Sequence, residues 1–398
     1  MKISGIIAEY NPFHNGHAYH ADVTRQTGAT HVVAVMSGNF VQRGEPAIIS
    51  KFERAKIAAQ SGIDLVIELP VWYAMASSER FAYGAVSLLD SLGCVDSLSF
   101  GSECGDVLQL KIVAEAAADT RVIGATRDYY EQGQNYPSAR QQAITDIYGE
   151  THAAILKNPN DLLAVDYIKA LRYRQSDMTP QPVLREAVGH DSDEASGRYA
   201  SASFLRQQIA RGHDVSGFVT QATRRGLERL KEAGEISGGL KAIERAVLYK
   251  MRSMTVEQMC ELPDCSDGLG NRLFNAVATA ASIEEIYEKA KTKRYTMSRI
   301  RRAVACAVLD ISARPFSDPP YARVLAIGKN GEEVLSRITK KAMLPVSHSL
   351  KSLRELSGPC RECADAEIRA TDVFNLTLNA IKPTLHDYTQ KLYTEAVQ

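Results

Sequence analysis

Four short segments of the first hundred residues are apolar with few polar breaks: KISGIIAE (Lys2 to Glu9), THVVAVM (Thr30 to Met36), DLVIELP (Asp64 to Pro70) and SLSFGSE (Ser97 to Glu103). Runs of this length and composition are expected of strands buried on both faces. Helical patterns lie between them. His17 to Thr27 reads as a helix closed by Gly28. Ser50-Lys51-Phe52-Glu53 has the form of a capping box and opens a helix that stops at Gly62, and Ser78 to Leu92 ends at Gly93. Strand–helix alternation with short connections predicts a parallel sheet covered on both faces.

From about Asp106 the pattern turns helical and less regular. The polar, glycine-bearing stretch Ala187 to Ser203 predicts a loop before a helix starting near Ala202. Beyond Gly212 amphipathic helices dominate, interrupted by a strand-like ARVLAIG (Ala322 to Gly328) and an apolar DVFNLTL (Asp372 to Leu378). No repeat or low-complexity tract stands out. A length of 398 residues exceeds one ordinary core. The expected organisation is an α/β domain over 1–215 and a mainly helical domain over 216–398.

Composition narrows the class. Apolar residues make up 45% and charged residues 24%, as in ordinary soluble globular proteins. Lys+Arg and Asp+Glu both number 47, which argues against a wholly basic nucleic-acid coat but leaves room for a local patch. The apolar start is too short for a signal-peptide core, and no stretch reads as a membrane span, so a cytoplasmic location with no membrane partner is expected. Seven dispersed cysteines fit reduced thiols better than a disulfide framework.

Against this background one segment is unusual. AEYNPFHNGHAYH (Ala8 to His20) holds three of the chain's 9 histidines, directly behind the first strand. HNGH (His14 to His17) falls where a strand's carboxyl end meets a helix N-terminus, and there free N–H groups and the helix dipole favour a phosphate. Gly16 admits close backbone approach. Two imidazoles can donate to phosphate oxygens on which charge grows when a nucleotide's α-phosphorus is attacked. His20 shares the helix face of His17, where it touches the nucleotide or simply packs. Zinc sites with HxGHxxH-like spacing usually add carboxylate or thiolate ligands and Glu9 is the only nearby candidate, so no protein-bound metal is expected, and magnesium would come with ATP.

The surroundings carry a more specific resemblance. EYNPFHNGH is followed by AVMSGNFVQRGEPA (Ala34 to Ala47), DLVIELP, LSFGSE, NPNDLLAVDYIKAL (Asn158 to Leu171) and TKRYTMSRIRR (Thr292 to Arg302). In this order and spacing the series resembles the tRNA(Met) cytidine acetate ligase family, within the HxGH nucleotidyltransferase superfamily of Rossmann-like enzymes. The resemblance implies an enzyme that joins acetate to AMP from ATP, then passes the acetyl group to the 4-amino group of the wobble cytidine of elongator tRNA(Met). It implies an ATP site of Ile7, Ala8, Glu9, Tyr10, Asn11, Pro12, Phe13, His14, Asn15, Gly16, His17 and His20 with Gly101, Asn160 and Arg185. His14 and His17 would be the catalytic phosphate ligands. The superfamily's second phosphate motif has its nearest match in SASFLR (Ser201 to Arg206), where Ala202 replaces a hydroxyl residue, which points to Ser203 and Arg206. No protein partner is implied.

Two further patterns bear on partners. SGNFVQRGEPA reads as a surface turn or as a lid over nucleotide or acceptor. Lys289 to Arg302 holds seven Lys/Arg and no acid. Ile300, Val304 and Val308 repeat at helical spacing, so the helix is expected to bury one stripe and leave Arg299 and Arg302 outside. With Lys293, Arg294 and Arg301 these residues form the expected tRNA-binding set, Tyr295 could stack on a base, and Lys340, Lys341 and Lys351 would extend the patch. CREC (Cys360 to Cys363) has metal-knuckle spacing, with Cys260 and Cys265 as conceivable partners, but reduced loop cysteines are the expected state. Two rival functions stay open from the residues: an adenylyltransferase acting on a small phosphorylated metabolite, and a non-catalytic, nucleotide-dependent RNA-binding factor.

Overall fold

A computed structural model describes residues 1–185, 197–314 and 317–395. Most of the expected loop over Ala187 to Ser203 lies outside the described residues. The strands are β1 (Ile3–Ala8), β2 (His31–Ser37), β3 (Phe40–Val41), β4 (Glu45–Pro46), β5 (Leu65–Leu69), β6 (Ser97–Ser102), β7 (Thr179–Leu184), β8 (Ala322–Ile327), β9 (Val346–Ser347) and β10 (Tyr393–Thr394). All but β3 and β4, which form a small hairpin, join one sheet of order β10-β8-β5-β2-β1-β6-β7, with β9 also on β8.

The four segments read as strands are β1, β2, β5 and β6, and their mutual pairings are parallel. Apolar residues alternate between the faces, as the pleat requires. Val33, Val35, Leu65 and Ile67 pack under helices Ser78–Ser91 and Pro159–Arg174. Val32, Ala34, Met36 and Val66 pack under α1 (Asn15–Gln26) and helix Lys51–Gln60. The chain runs outward through β1, β2 and β5, then returns to the other side of β1 for β6 and β7. The strand order therefore reverses beside β1, where open α/β sheets bind ligands.

Three features depart from the sequence reading. Edge strand β7 contains Pro180 and Pro182, which hide a strand from pattern reading because proline cannot donate to a ladder on both sides. β8 pairs antiparallel with β5, so residues beyond 216 complete the sheet of the first half. DVFNLTL does not interrupt the helices: Asp372 to Leu376 is the end of helix Pro359–Leu376. The helical part has its own apolar cluster, centred on Met251, Leu269, Leu273, Ile300, Val304 and Phe374, which also takes in Phe40, Val71 and Met75 from the first half.

Beneath the β2–β3 turn lies a fully buried ion cluster. Lys51 Nζ is 2.6 Å from Glu68, 3.3 Å from Glu367 and 2.8 Å from Asp387, while Arg323 reaches Glu68 at 3.1 Å and Asp387 at 2.5 Å. Burial, and then Glu68 beside it, holds the Glu367 carboxyl well above its ordinary range. Desolvation works against the charged forms of Asp387 and Glu68, but the attraction of Lys51 and Arg323 outweighs it and keeps both low. With Glu367 protonated, two cations face two carboxylates and the interior is neutral. The cluster ties together helix Lys51–Gln60, β5, β8 and helix Pro359–Leu376.

Candidate active site

His14 is the N-cap of α1, and its imidazole closes the helix start. Its Nδ1 accepts the Gly16 N–H at 3.1 Å, and His17 Nδ1 accepts the His14 N–H at 3.2 Å. This is a capping box made of histidines rather than Ser and Glu. The two rings stack 3.7 Å apart, 22° from parallel. A neutral imidazole carries one hydrogen, and since Nδ1 accepts in both rings, that hydrogen sits on Nε2. The cap thus fixes two N–H donors side by side. Capping and phosphate binding would use opposite nitrogens of the same rings.

Desolvation, and then the neighbouring His14, His20 and Arg185, hold the His17 pKa well below its ordinary 6.5; burial with Arg185 lowers His20 to about 4. Both rings are therefore neutral at physiological pH. Because the folded pKa values are depressed bases, protonation of the unfolded chain below pH 6.5 costs stability, and the loss grows as pH falls toward 4. Between pH 6 and 8 neither ring titrates. The pH–rate profile of the first chemical step is accordingly expected to show no inflection from these histidines over that interval, as stopped-time assays across it would show.

The histidines sit in a cleft of about 540 Å³ at the carboxyl ends of β1, β6 and β7. Ile7, Ala8, Glu9, Tyr10, Asn11, His14, Gly16, His17, His20, Gly101, Asn160 and Arg185 all line it. Among the described residues its other cations are Arg43 and Lys157 and its one acid is Glu9, a balance suited to a polyanion. Gly101 is paired with Val183 across β6–β7, and a Cβ there would touch the Arg185 side chain at 3.5 Å. His20 Nε2 lies 2.9 Å from Ser99 Oγ, so this ring both packs and lines the cleft.

The other expected site residues take supporting places. Phe13 and Pro12 are buried, Phe13 in the core beneath α1. Asn15 Nδ2 donates to the carbonyls of Arg198 and Gly217. Arg206 Nη1 donates to the Asn11 carbonyl at 2.9 Å, and both Arg206 and Arg43 reach Ser203 Oγ at 3.4 Å. Ser203 and Arg206 thus brace the Asn11 turn; from their helix, Ala202–Ala210, Ala202 with its cap Ser201 lines the cleft.

Asn160 is held by a partner that sequence reasoning missed. Its side-chain amide and its backbone N–H both donate to Glu103 Oε1, and Asp161 N–H donates to Oε2 at 2.9 Å. In return the Asp161 carboxylate accepts from Ser102 Oγ at 2.5 Å and from the Glu103 N–H at 2.9 Å. The end of β6 and the start of helix Pro159–Arg174 cap each other. The apolar wall of Phe81, Phe100, Leu163 and Tyr167 was also missed, because it comes from elements far apart in sequence. The one local signal was the Asn158–Asp161 helix-start pattern.

The basic run is placed differently from expectation. Arg302 is not outside but buried, its Nη1 on the Gln42 carbonyl at 3.3 Å and its Nη2 near Asp264 at 3.7 Å. Helix Met297–Val308 is covered on its second face by the β3–β4 hairpin, against which a single apolar stripe is no guide. Arg299 and Arg294 pair with Asp267, at 2.6 and 3.6 Å, and Arg301 pairs with Glu45 at 2.7 Å. Tyr295 is buried, its hydroxyl on the Asp267 carbonyl. Lys291 and Lys293 remain exposed, with no ion pair among the described residues. Cys360 and Cys363 pack in one cluster and Cys265 in another; among the described residues no group of three or more His, Cys, Asp or Glu is arranged to hold a metal.

Comparison with known proteins places this geometry in a lineage. The HIGH nucleotidyl transferase family model matches residues 1–389. The tRNA(Met) cytidine acetate ligase of Thermoanaerobacter sp. is 37% identical over 385 residues, 94% of this chain and 95% of that one. The ligase of the same name from Acetivibrio thermocellus is 34% identical over 414 residues, 98% and 99% of the two chains. The crystal structure of apo Thermotoga maritima TmcAL superposes with a TM-score of 0.93 at 30% identity, over 99% of this chain and 100% of that one, and the same protein bound with alpha-thio ATP gives 0.90. With these matches running nearly end to end, the chain belongs to the HIGH nucleotidyl transferases, in the tRNA(Met) cytidine acetate ligase family.

Proposed function

We propose that the protein is an ATP-dependent ligase that forms acetyl-adenylate from acetate and ATP, releases pyrophosphate, and transfers the acetyl group to the 4-amino group of the wobble cytidine of elongator tRNA(Met) in the cytoplasm. The observation that carries the reading is the pair of Nε2–H donors that the histidine cap aims from the helix start in a cleft lined by Arg43, Lys157 and Arg185. Acetate attacks the α-phosphorus in line, and the fixed donors meet the charge that grows on the phosphate oxygens and the departing pyrophosphate. No protein nucleophile is needed, since acetate is already ionised. Rate enhancement comes from positioning and electrostatics.

Magnesium belongs to this reading as an ion carried on the ATP phosphates, where it neutralises charge. The described residues of the cleft do not fit a resident metal: among them are a single carboxylate and no chelating set. For tRNA, the exposed Lys291 and Lys293 suit phosphate contact, whereas the arginines of the run are tied to Asp264, Asp267 and Glu45 and build the support beneath them. Lys293→Ala is expected to weaken tRNA binding and lower the slope of log K against log salt by about 1, with folding unchanged, as filter binding across salt concentrations would read. The function itself is tested with radiolabelled acetate, ATP and a tRNA(Met) transcript: label recovered as acetylcytidine at the wobble position is the expected outcome, and label that never leaves the small-molecule fraction argues for an adenylyltransferase of another substrate.

A further inference from the structure

In the second half of the proposed reaction the cytidine 4-amino group must lose a proton as its nitrogen bonds to the acetyl carbon. The histidines of the cleft are poorly built to take it. The Nδ1 atoms of His14 and His17 already accept backbone N–H groups, their Nε2 atoms carry the hydrogen, and His20 is engaged with Ser99. Arg43, Lys157 and Arg185 are donors. Among the described residues lining the cleft there is one carboxylate, Glu9, directly after β1. Resting on the ligase reading above, we propose that Glu9 is the proton acceptor for the cytidine amine in acetyl transfer.

The fold fixes this side chain at three removes. The Glu9 carbonyl accepts from Arg54 Nη1 at 2.5 Å, and its Oε1 accepts the Gln42 N–H at 2.9 Å. Gln42 is itself held, because its carbonyl accepts from the buried Arg302 and its side-chain amide donates to the Ala76 carbonyl. Two residues further on, Gly44 presses on the basic helix so closely that a Cβ would lie 2.3 Å from the Arg302 nitrogen. One carboxylate oxygen is thus pinned, while Oε2 has no hydrogen bond among the described residues. Such a group is oriented without being consumed, as a general base must be.

The step balances without a further reactant. N4 of the cytidine bonds to the acetyl carbonyl carbon, and the bond from that carbon to the phosphate oxygen breaks with its electron pair leaving on AMP. One N4 hydrogen passes as a proton to Oε2 of Glu9 and from there to water. The products are acetylcytidine, AMP and a proton.

Glu9→Gln keeps an oxygen for the Gln42 N–H and removes the base. Two assays on the full-length variant separate the half-reactions: acetate-dependent ATP–pyrophosphate exchange, and single-turnover transfer from purified acetyl-adenylate to tRNA(Met). Transfer is expected to fall by about 10²–10⁴-fold, at least about tenfold more than any loss of exchange, since Glu9 also lines the nucleotide cleft. Parallel loss of both would assign Glu9 to nucleotide binding and overturn the proposal, as would unchanged transfer. If the Gln variant does not fold by circular dichroism, Glu9→Asp retains a shortened base: transfer slowed well beyond exchange supports the proposal, and equal loss of both contradicts it. Absence of acetate-dependent exchange in the wild type would refute the ligase reading instead, so the two failures are distinguishable.

Discussion

His17→Ala is expected to slow acetyl-adenylate formation by about 10²–10³-fold, the range found when one preorganised donor to a developing oxyanion is removed. The side chain does two things, and they can be separated. Its Nδ1 caps the His14 N–H, and losing a cap costs about 1 kcal/mol of stability. Its Nε2–H faces the cleft, where loss is felt only in the transition state. Pyrophosphate exchange at saturating ATP should therefore collapse while thermal denaturation shifts modestly. A rate within tenfold of wild type would remove His17 from the chemistry.

The second large effect concerns stability. Lys51→Met is expected to cost about 3–5 kcal/mol, because it leaves Glu68 and Asp387 buried with Arg323 as their one remaining ion-pair partner among the described residues. Urea denaturation of the variant, compared with the Lys51→Met/Glu68→Gln double variant, checks the cause. Removing one carboxylate along with the lysine restores neutrality, so the double variant should recover part of the loss. If the double variant is less stable than wild type by the sum of the two single changes, charge imbalance is not the cause. The Lys51 side chain is wholly buried, so salt should screen this effect little.

How legible was this in the sequence? The strands β1, β2, β5 and β6 were, because strands buried on both faces leave uninterrupted apolar runs. The motif HNGH was too, since Gly16 and the strand-to-helix junction constrain what two histidines there can do. What the sequence hid was long-range. Arg302 is two residues from Ile300 and reads as the outer face of an amphipathic helix, yet the β3–β4 hairpin covers it. β8 looked like an isolated strand among helices, and only pairing with β5, more than 250 residues earlier, gives it a place. The reciprocal cap between Glu103 and Asp161 likewise joins residues 58 positions apart. Local pattern fixes periodicity and caps; it does not say which face a distant element will cover.

The measurement that bears most directly on the account is ATP–pyrophosphate exchange by the purified wild-type protein with and without acetate. Exchange that requires acetate is the predicted result, since attack by a carboxylate on the α-phosphorus is the only step the histidine pair is proposed to assist before RNA arrives. Exchange that is absent with every small acid tested, in a preparation that still binds ATP, would contradict it.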